Sequence, residues 1–180
     1  MKLEEQNSFV MAAHHDLNKV QHLLQHQPEL IHARASWNET PLGAAAHVGN
    51  KDIMQYLIEH GARPDICAWA ALGELEAVQS TVQKHPECVR ARGAHGLSVV
   101  FHAIMGGNFE VLQWLIQNGA PVNEPEGTLT PLHVAVVKGD RAMVEYLLQH
   151  GADRRTRDRE GKTPLERAQL IGSKLVDLLR

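Results

Sequence analysis

The chain has 180 residues, a formal net charge of −3, two cysteines and 12 histidines. That near-balance supplies no global basic field for nucleic acid, and no run of about 18 apolar residues offers a membrane-spanning helix. The acidic start Met1-Lys2-Leu3-Glu4-Glu5-Gln6 lacks the charge and apolar run of a secretory signal, and Cys67 and Cys88 have neither metal-ligand nor disulfide-framework spacing, so a soluble, cytoplasmic protein is expected.

Turn signals recur along the chain at His15, Gly49, Gly73, Gly107, Gly139 and Gly172, at intervals of 34, 24, 34, 32 and 33 residues. Each separates two short apolar-periodic stretches, so the spacing predicts six helix–turn–helix units. The approximate boundaries are 5–33, 34–62, 63–91, 92–121, 122–155 and 156–180, within one domain. Units this short cannot bury their own apolar faces and must stack.

In unit one the chain passes from Gln6-Asn7-Ser8 straight into Phe9-Val10-Met11-Ala12-Ala13-His14-His15. Unit two opens on Thr40-Pro41-Leu42, an N-cap residue followed by proline at the first helical position. It closes on Gly61-Ala62, and Asp65 then caps the next helix after only Arg63-Pro64. About nine residues are missing there relative to a unit of about 33, which accounts for the interval of 24. Sliding residues 7–62 onto 65–120 at an offset of 58 gives 18 identities in 56 positions. We read 5–62 and 63–120 as a duplicated pair. Unit four keeps a cap in Ser98 but follows it with Val99-Val100, poorer helix starters. Unit six opens on Thr163-Pro164-Leu165 and ends in a short charged helix suited to a terminal cap.

Unit five carries the fullest signature. Thr130 caps, Pro131 starts, Leu132, Ala135 and Val136 recur at helical spacing, and Gly139 breaks the helix. Met143, Val144, Leu147 and Leu148 then form a second apolar stripe, ended by Gly151-Ala152. This stretch resembles one unit of the ankyrin-repeat family, and the resemblance covers the chain from about residue 6. It implies an all-α solenoid of about six helix pairs with short β-hairpins, missing before units one and three. It also implies a non-catalytic protein–protein interaction module, monomeric and without cofactor or metal, that binds a protein or peptide through its concave groove.

In that family the hairpin tips and the exposed side of the first helices line the groove. By position this assigns partner contact to His14, Trp37, Glu39, His47, Leu72, His95, Leu97, His102 and Met105. The hairpin of unit five would add Glu126, Gly127 and Leu129. Without a hairpin of its own, unit three should leave a notch between the hairpins of units two and four. An exposed indole at Trp37 is a favoured anchor there; the alternative is that Trp37 folds back over the neighbouring short unit. His26, His60, His85 and His150 stand at or near helix ends, where a donor satisfies free carbonyls. In the family a threonine and the histidine three residues after it hydrogen-bond to pin the helix start, so the resemblance implies a structural role for His133 with Thr130. His22 and His26 have chelating spacing, but an outer helix face among glutamines is the plainer reading.

No Gly-rich phosphate loop, Gly-x-Ser-x-Gly, His-Glu-x-x-His or Cys-x-x-Cys is present, so no catalytic residues are assigned. The rival function is a small-molecule or metal site, conceivably catalytic, with His47, His95, His102 and Glu39 converging in the notch. It requires two or more of them within hydrogen-bond reach of a common point.

Overall fold

The computed structural model describes residues 2–124 and 129–180. It is a stack of six helix pairs: α1 (Leu3–Ala12) with α2 (Leu17–His26), α3 (Pro41–Val48) with α4 (Lys51–Glu59), α5 (Ile66–Leu72) with α6 (Leu75–Lys84), α7 (Val99–Met105) with α8 (Phe109–Gln117), α9 (Pro131–Lys138) with α10 (Arg141–Gln149), and α11 (Pro164–Leu170) with α12 (Val176–Leu179). The offset of 58 recurs in the bounds of several elements. The helices α2 and α6, α4 and α8, and the 3-10 turns Pro28–His32 and Pro86–Arg90 fall at equivalent positions.

Local chemistry sets the helix starts. The side chains of Asp16, Thr40, Asn50, Asp65, Ser98, Thr130, Asp140 and Thr163 each accept from the backbone N–H three residues on. Each such cap contributes on the order of 1 kcal/mol. Helix ends are tied as well. The rings of His26, His60 and His150 hydrogen-bond through Nδ1 to the carbonyl four residues back, each at 2.8 Å. Asn118 Nδ2 donates to Trp114 in the same manner. His85 differs: its ring lies beside Glu87 instead. His133 accepts the expected role, with Nδ1 2.8 Å from Thr130 Oγ1 and Nε2 3.0 Å from the Lys162 carbonyl of the next turn.

Among the described residues no β-sheet forms. The hairpins are reduced to tight turns, closed by Ala35 N–H to Glu39 O, Gly93 N–H to Leu97 O and Asp158 N–H to Lys162 O. Arg92 and Ser98 add an isolated antiparallel bridge. An arginine staples each turn by donating to the carbonyl four residues on, from Arg34 to Asn38, Arg92 to Gly96 and Arg157 to Gly161. The expected hairpin positions Glu126 and Gly127 lie outside the described residues.

Unit three has no hairpin: the chain leaves Ala62 and re-enters helix at Ile66. Small residues let α5 serve two cores. Its Ala68 and Ala71 join the apolar cluster of units one and two, while Ile66, Cys67 and Ala70 join the cluster that continues through the later units. The notch expected between units two and four is therefore largely closed. Lys51 Nζ donates to Asn108 Oδ1, and Asn108 Nδ2 donates to the carbonyls of Ala70 and Ala71. Units two and four meet directly across the short unit between them.

Candidate functional site

Glu39 is the centre of that meeting. It is only 2 % exposed, although the sequence places it on a projecting turn. Trp37 Nε1 donates to its Oε2 at 2.7 Å. His47 Nδ1, from α3, lies 2.7 Å from Oε1. His95 Nε2, from the turn of unit four, lies 3.1 Å from the same oxygen. His14 Nε2, from the end of α1, faces Oε2 at 3.6 Å. One carboxylate is thus surrounded by three imidazoles and an indole drawn from three units. The rings pack edge to face, His14 on His47 with centroids 4.9 Å apart and His47 on His95 at 5.0 Å.

The missing hairpins make this arrangement possible. With no turn projecting before unit one or unit three, the turn of unit two is reached from both sides. The backbone is bent to suit it: Asn38 and His95 have φ of 68° and 55°, left-handed values that cost most non-glycine residues about 1–2 kcal/mol. Burial pushes the Glu39 carboxyl up, but the hydrogen bonds from His47 and Trp37 and the charges of His47 and His95 outweigh it. The group is held below its ordinary value and is ionised in the fold.

Trp37 remains exposed at 38 %. Both readings of it hold in part, since its ring meets solvent while its N–H is committed to Glu39. Leu72 and Met105 are half-buried, and His95 is exposed. A hollow of about 410 Å³, lined by Trp37, Asp65 and His95 among others, is what remains of the notch. Leu97 and His102 correct the expectation. At 8 % and 0 % exposed they belong to the interior, where no partner reaches them. His102 Nδ1 meets the Ser98 carbonyl at 2.8 Å, and its Nε2 has no hydrogen-bond partner among the described residues. It therefore does not join Glu39.

His102 has a different consequence. Burial drives its pKa down, against the raising effects of the Ser98 carbonyl and Asp65; the charge of His47 lowers it further. His133 is lowered by the same cause, opposed by the Lys162 carbonyl and Asp158 and reinforced by Arg167. Both therefore take up a proton less readily in the fold than in the unfolded chain, which protonates as the pH falls below about 6.5, the ordinary imidazole value. The unfolded state then binds more protons, so stability falls as pH falls, by up to about 1.4 kcal/mol per pH unit for each group. Urea midpoints should drop between pH 7 and 5, and His102→Gln should flatten the slope by up to half. A midpoint independent of pH and of this substitution contradicts the assignment.

Stacked helix pairs with Thr-Pro starts, glycine turns and reduced hairpins find their counterpart in known sequences. A family model of ankyrin repeats (3 copies) matches residues 8–123, 66–158 and 100–180. The chain belongs to the ankyrin-repeat family. Ankyrin-repeat relatives include the human 2-5A-dependent ribonuclease, 41 % identical over 77 residues, which are 42 % of this chain and 10 % of the relative. The mouse RelA-associated inhibitor is 37 % identical over 84 residues, 46 % of this chain and 10 % of the relative. Human protein phosphatase 1 regulatory subunit 27 is 28 % identical over 109 residues, 60 % of this chain and 71 % of the relative. The match thus spans 10 % of the length of the first two. Ankyrin repeats generally mediate protein–protein interaction. No helix among the described residues is long and apolar enough to cross a membrane.

Proposed function

We propose that this chain is a non-catalytic recognition module, a cytoplasmic monomer that binds a protein or peptide through its concave groove. One observation carries the reading. Among the described residues, the large apolar side chains that remain exposed are Leu3, Met11, Trp37, Val137, Leu170 and Ile171. All of them lie on or at the end of first helices, or on a turn, and none lies on a second helix. An apolar surface confined to one side of a solenoid suits a partner. Trp37 and His95 supply the polar-tipped centre, and half-buried Leu72 and Met105 end the first helices of units three and four. The names of two relatives, one an inhibitor and one a regulatory subunit, agree with a binding role.

The test uses affinity capture on the wild type, on Trp37→Ala/Val137→Asp and on Lys19→Ala/Gln83→Ala, which alters exposed residues of α2 and α6. A captured protein should be lost at least tenfold from the groove variant and retained by the second-helix variant. Loss from the second-helix variant alone, or equal retention by all three, overturns the reading.

A further inference from the structure

We infer that His14, Glu39 and His47 form a binding site for a divalent transition metal of the zinc class. The site goes beyond groove recognition and does not depend on it.

The donor set comes first. One carboxylate oxygen, His14 Nε2 and His47 Nδ1 all lie within 4.8 Å of one another. Donors around a tetrahedral zinc, with bonds of about 2.0–2.1 Å, stand roughly 3.3 Å apart. His47 Nδ1 stands 2.7 Å from Glu39 Oε1 and His14 Nε2 stands 3.6 Å from Oε2, so each ring faces its own carboxylate oxygen at close to that spacing. Two imidazoles and one carboxylate suit zinc, and nitrogen donors disfavour calcium and magnesium.

The tautomer of His14 is the stronger argument. Its Nδ1 lies 3.0 Å from the Val10 carbonyl and 3.2 Å from the Met11 carbonyl. Carbonyls only accept, so Nδ1 carries the proton. With Nδ1 committed to those carbonyls, Nε2 is the ring nitrogen turned toward the Glu39 carboxylate. A backbone carbonyl on Nδ1 is also the usual support of a metal-bound histidine, because it fixes the tautomer and aims the other nitrogen.

The surrounding groups complete the support. The Trp37 N–H pins one Glu39 oxygen and His95 approaches the other, so the carboxylate is oriented before any ion arrives. Metal binding displaces the proton on His47 Nδ1 to solvent, freeing that nitrogen as a ligand. Because the ligands come from units one and two, the ion would bridge two repeats.

Zinc titration of chelator-stripped protein by calorimetry, with cobalt absorption as a second readout, tests the site. The wild type should take up one equivalent of zinc, and its Tm should rise with zinc. His14→Ala should weaken uptake at least 100-fold, and His14→Ala/His47→Ala should abolish both effects, while circular dichroism confirms that each variant is folded. His22→Ala/His26→Ala removes the chelating pair on α2, whose rings are 4.5 Å apart, and should leave uptake unchanged. No stoichiometric uptake, uptake that survives His14→Ala/His47→Ala, or uptake that disappears with the His22 and His26 pair each overturns the inference.

Discussion

Leu57→Asp is expected to remove folded units one and two and to leave units five and six protected. Leu57 is fully buried on α4, inside an apolar cluster that reaches from Phe9 and Val10 on α1 to Ala68 and Ala71 on α5. Truncating a buried leucine costs about 2–5 kcal/mol by itself. An unpaired buried carboxylate adds several kcal/mol or forces local unfolding to reach water. The sum matches the whole stability of an ordinary domain, about 5–15 kcal/mol. In a stacked array that loss is not shared evenly, because each unit leans on its neighbours. Unit one has unit two as its support and goes with it. Units five and six draw on the other cluster, through Leu132, Met143 and Leu147. Hydrogen exchange should show amides of α1–α4 unprotected while those of α9 and α10 persist. Leu57→Ala should give a cooperative shift of about 2–5 kcal/mol without this split. Unchanged melting of Leu57→Asp would show that the repeat register places Leu57 wrongly.

Much of the fold was legible because repeat architecture writes its rules locally. A Thr-Pro start, a glycine turn and a paired leucine stripe each act within one unit, and recurrence supplies the rest. The histidines at 26, 60 and 150 could be assigned for the same reason, since each bonds a carbonyl in its own helix. The absent hairpin of unit three was legible as an interval too short by about nine residues. What the absence does was not. Its consequence is the approach of units two and four, which depends on how far α3 and α7 are held apart by the small side chains of α5.

The candidate site was legible in its members and not in its arrangement. Trp37, Glu39, His47, His95 and His14 all stood out by position, yet Glu39 reads as a solvent-facing turn residue in any one-unit pattern. Its burial arises from groups 25 residues before it and 56 residues after it, His14 and His95. Spacing along the chain carries no record of such closure. Leu97 and His102 misled for the opposite reason. The family places exposed side chains at these positions, but the tight turn of unit four folds Leu97 inward and α7 lies close against α5. The arginine staples at 34, 92 and 157 were equally hidden, since an arginine beside a turn reads as surface charge until its carbonyl partner is seen.

Gly106→Ala should destabilise the protein more than Gly107→Ala, against the order that backbone conformation alone would give. Gly107 has a φ of 70°, where a side chain is strained, whereas Gly106 sits at −75°, open to any residue. Conformation alone therefore assigns about 1–2 kcal/mol of cost to Gly107→Ala. It assigns a gain of about 0.4–1 kcal/mol to Gly106→Ala, through a less flexible unfolded chain. Space reverses the ranking. A Cβ at Gly107 meets nothing within 4 Å, while a Cβ at Gly106 would lie 2.0 Å from the Ala71 carbonyl oxygen and 2.6 Å from Asn108 Nδ2. The oxygen is backbone and cannot swing aside, and Asn108 Nδ2 is the group that ties the turn between α7 and α8 to the Ala70 and Ala71 carbonyls. Relief needs α7 to back away from α5, which opens the contact between units three and four and breaks those bonds. Overpacking costs about 1–3 kcal/mol and each lost buried hydrogen bond about 1 kcal/mol more, so a total of about 3–5 kcal/mol is expected. Chemical denaturation of the two variants side by side decides it. If Gly106→Ala proves neutral or stabilising, units three and four are not in the close contact described, and the approach of His95 to Glu39 falls with it.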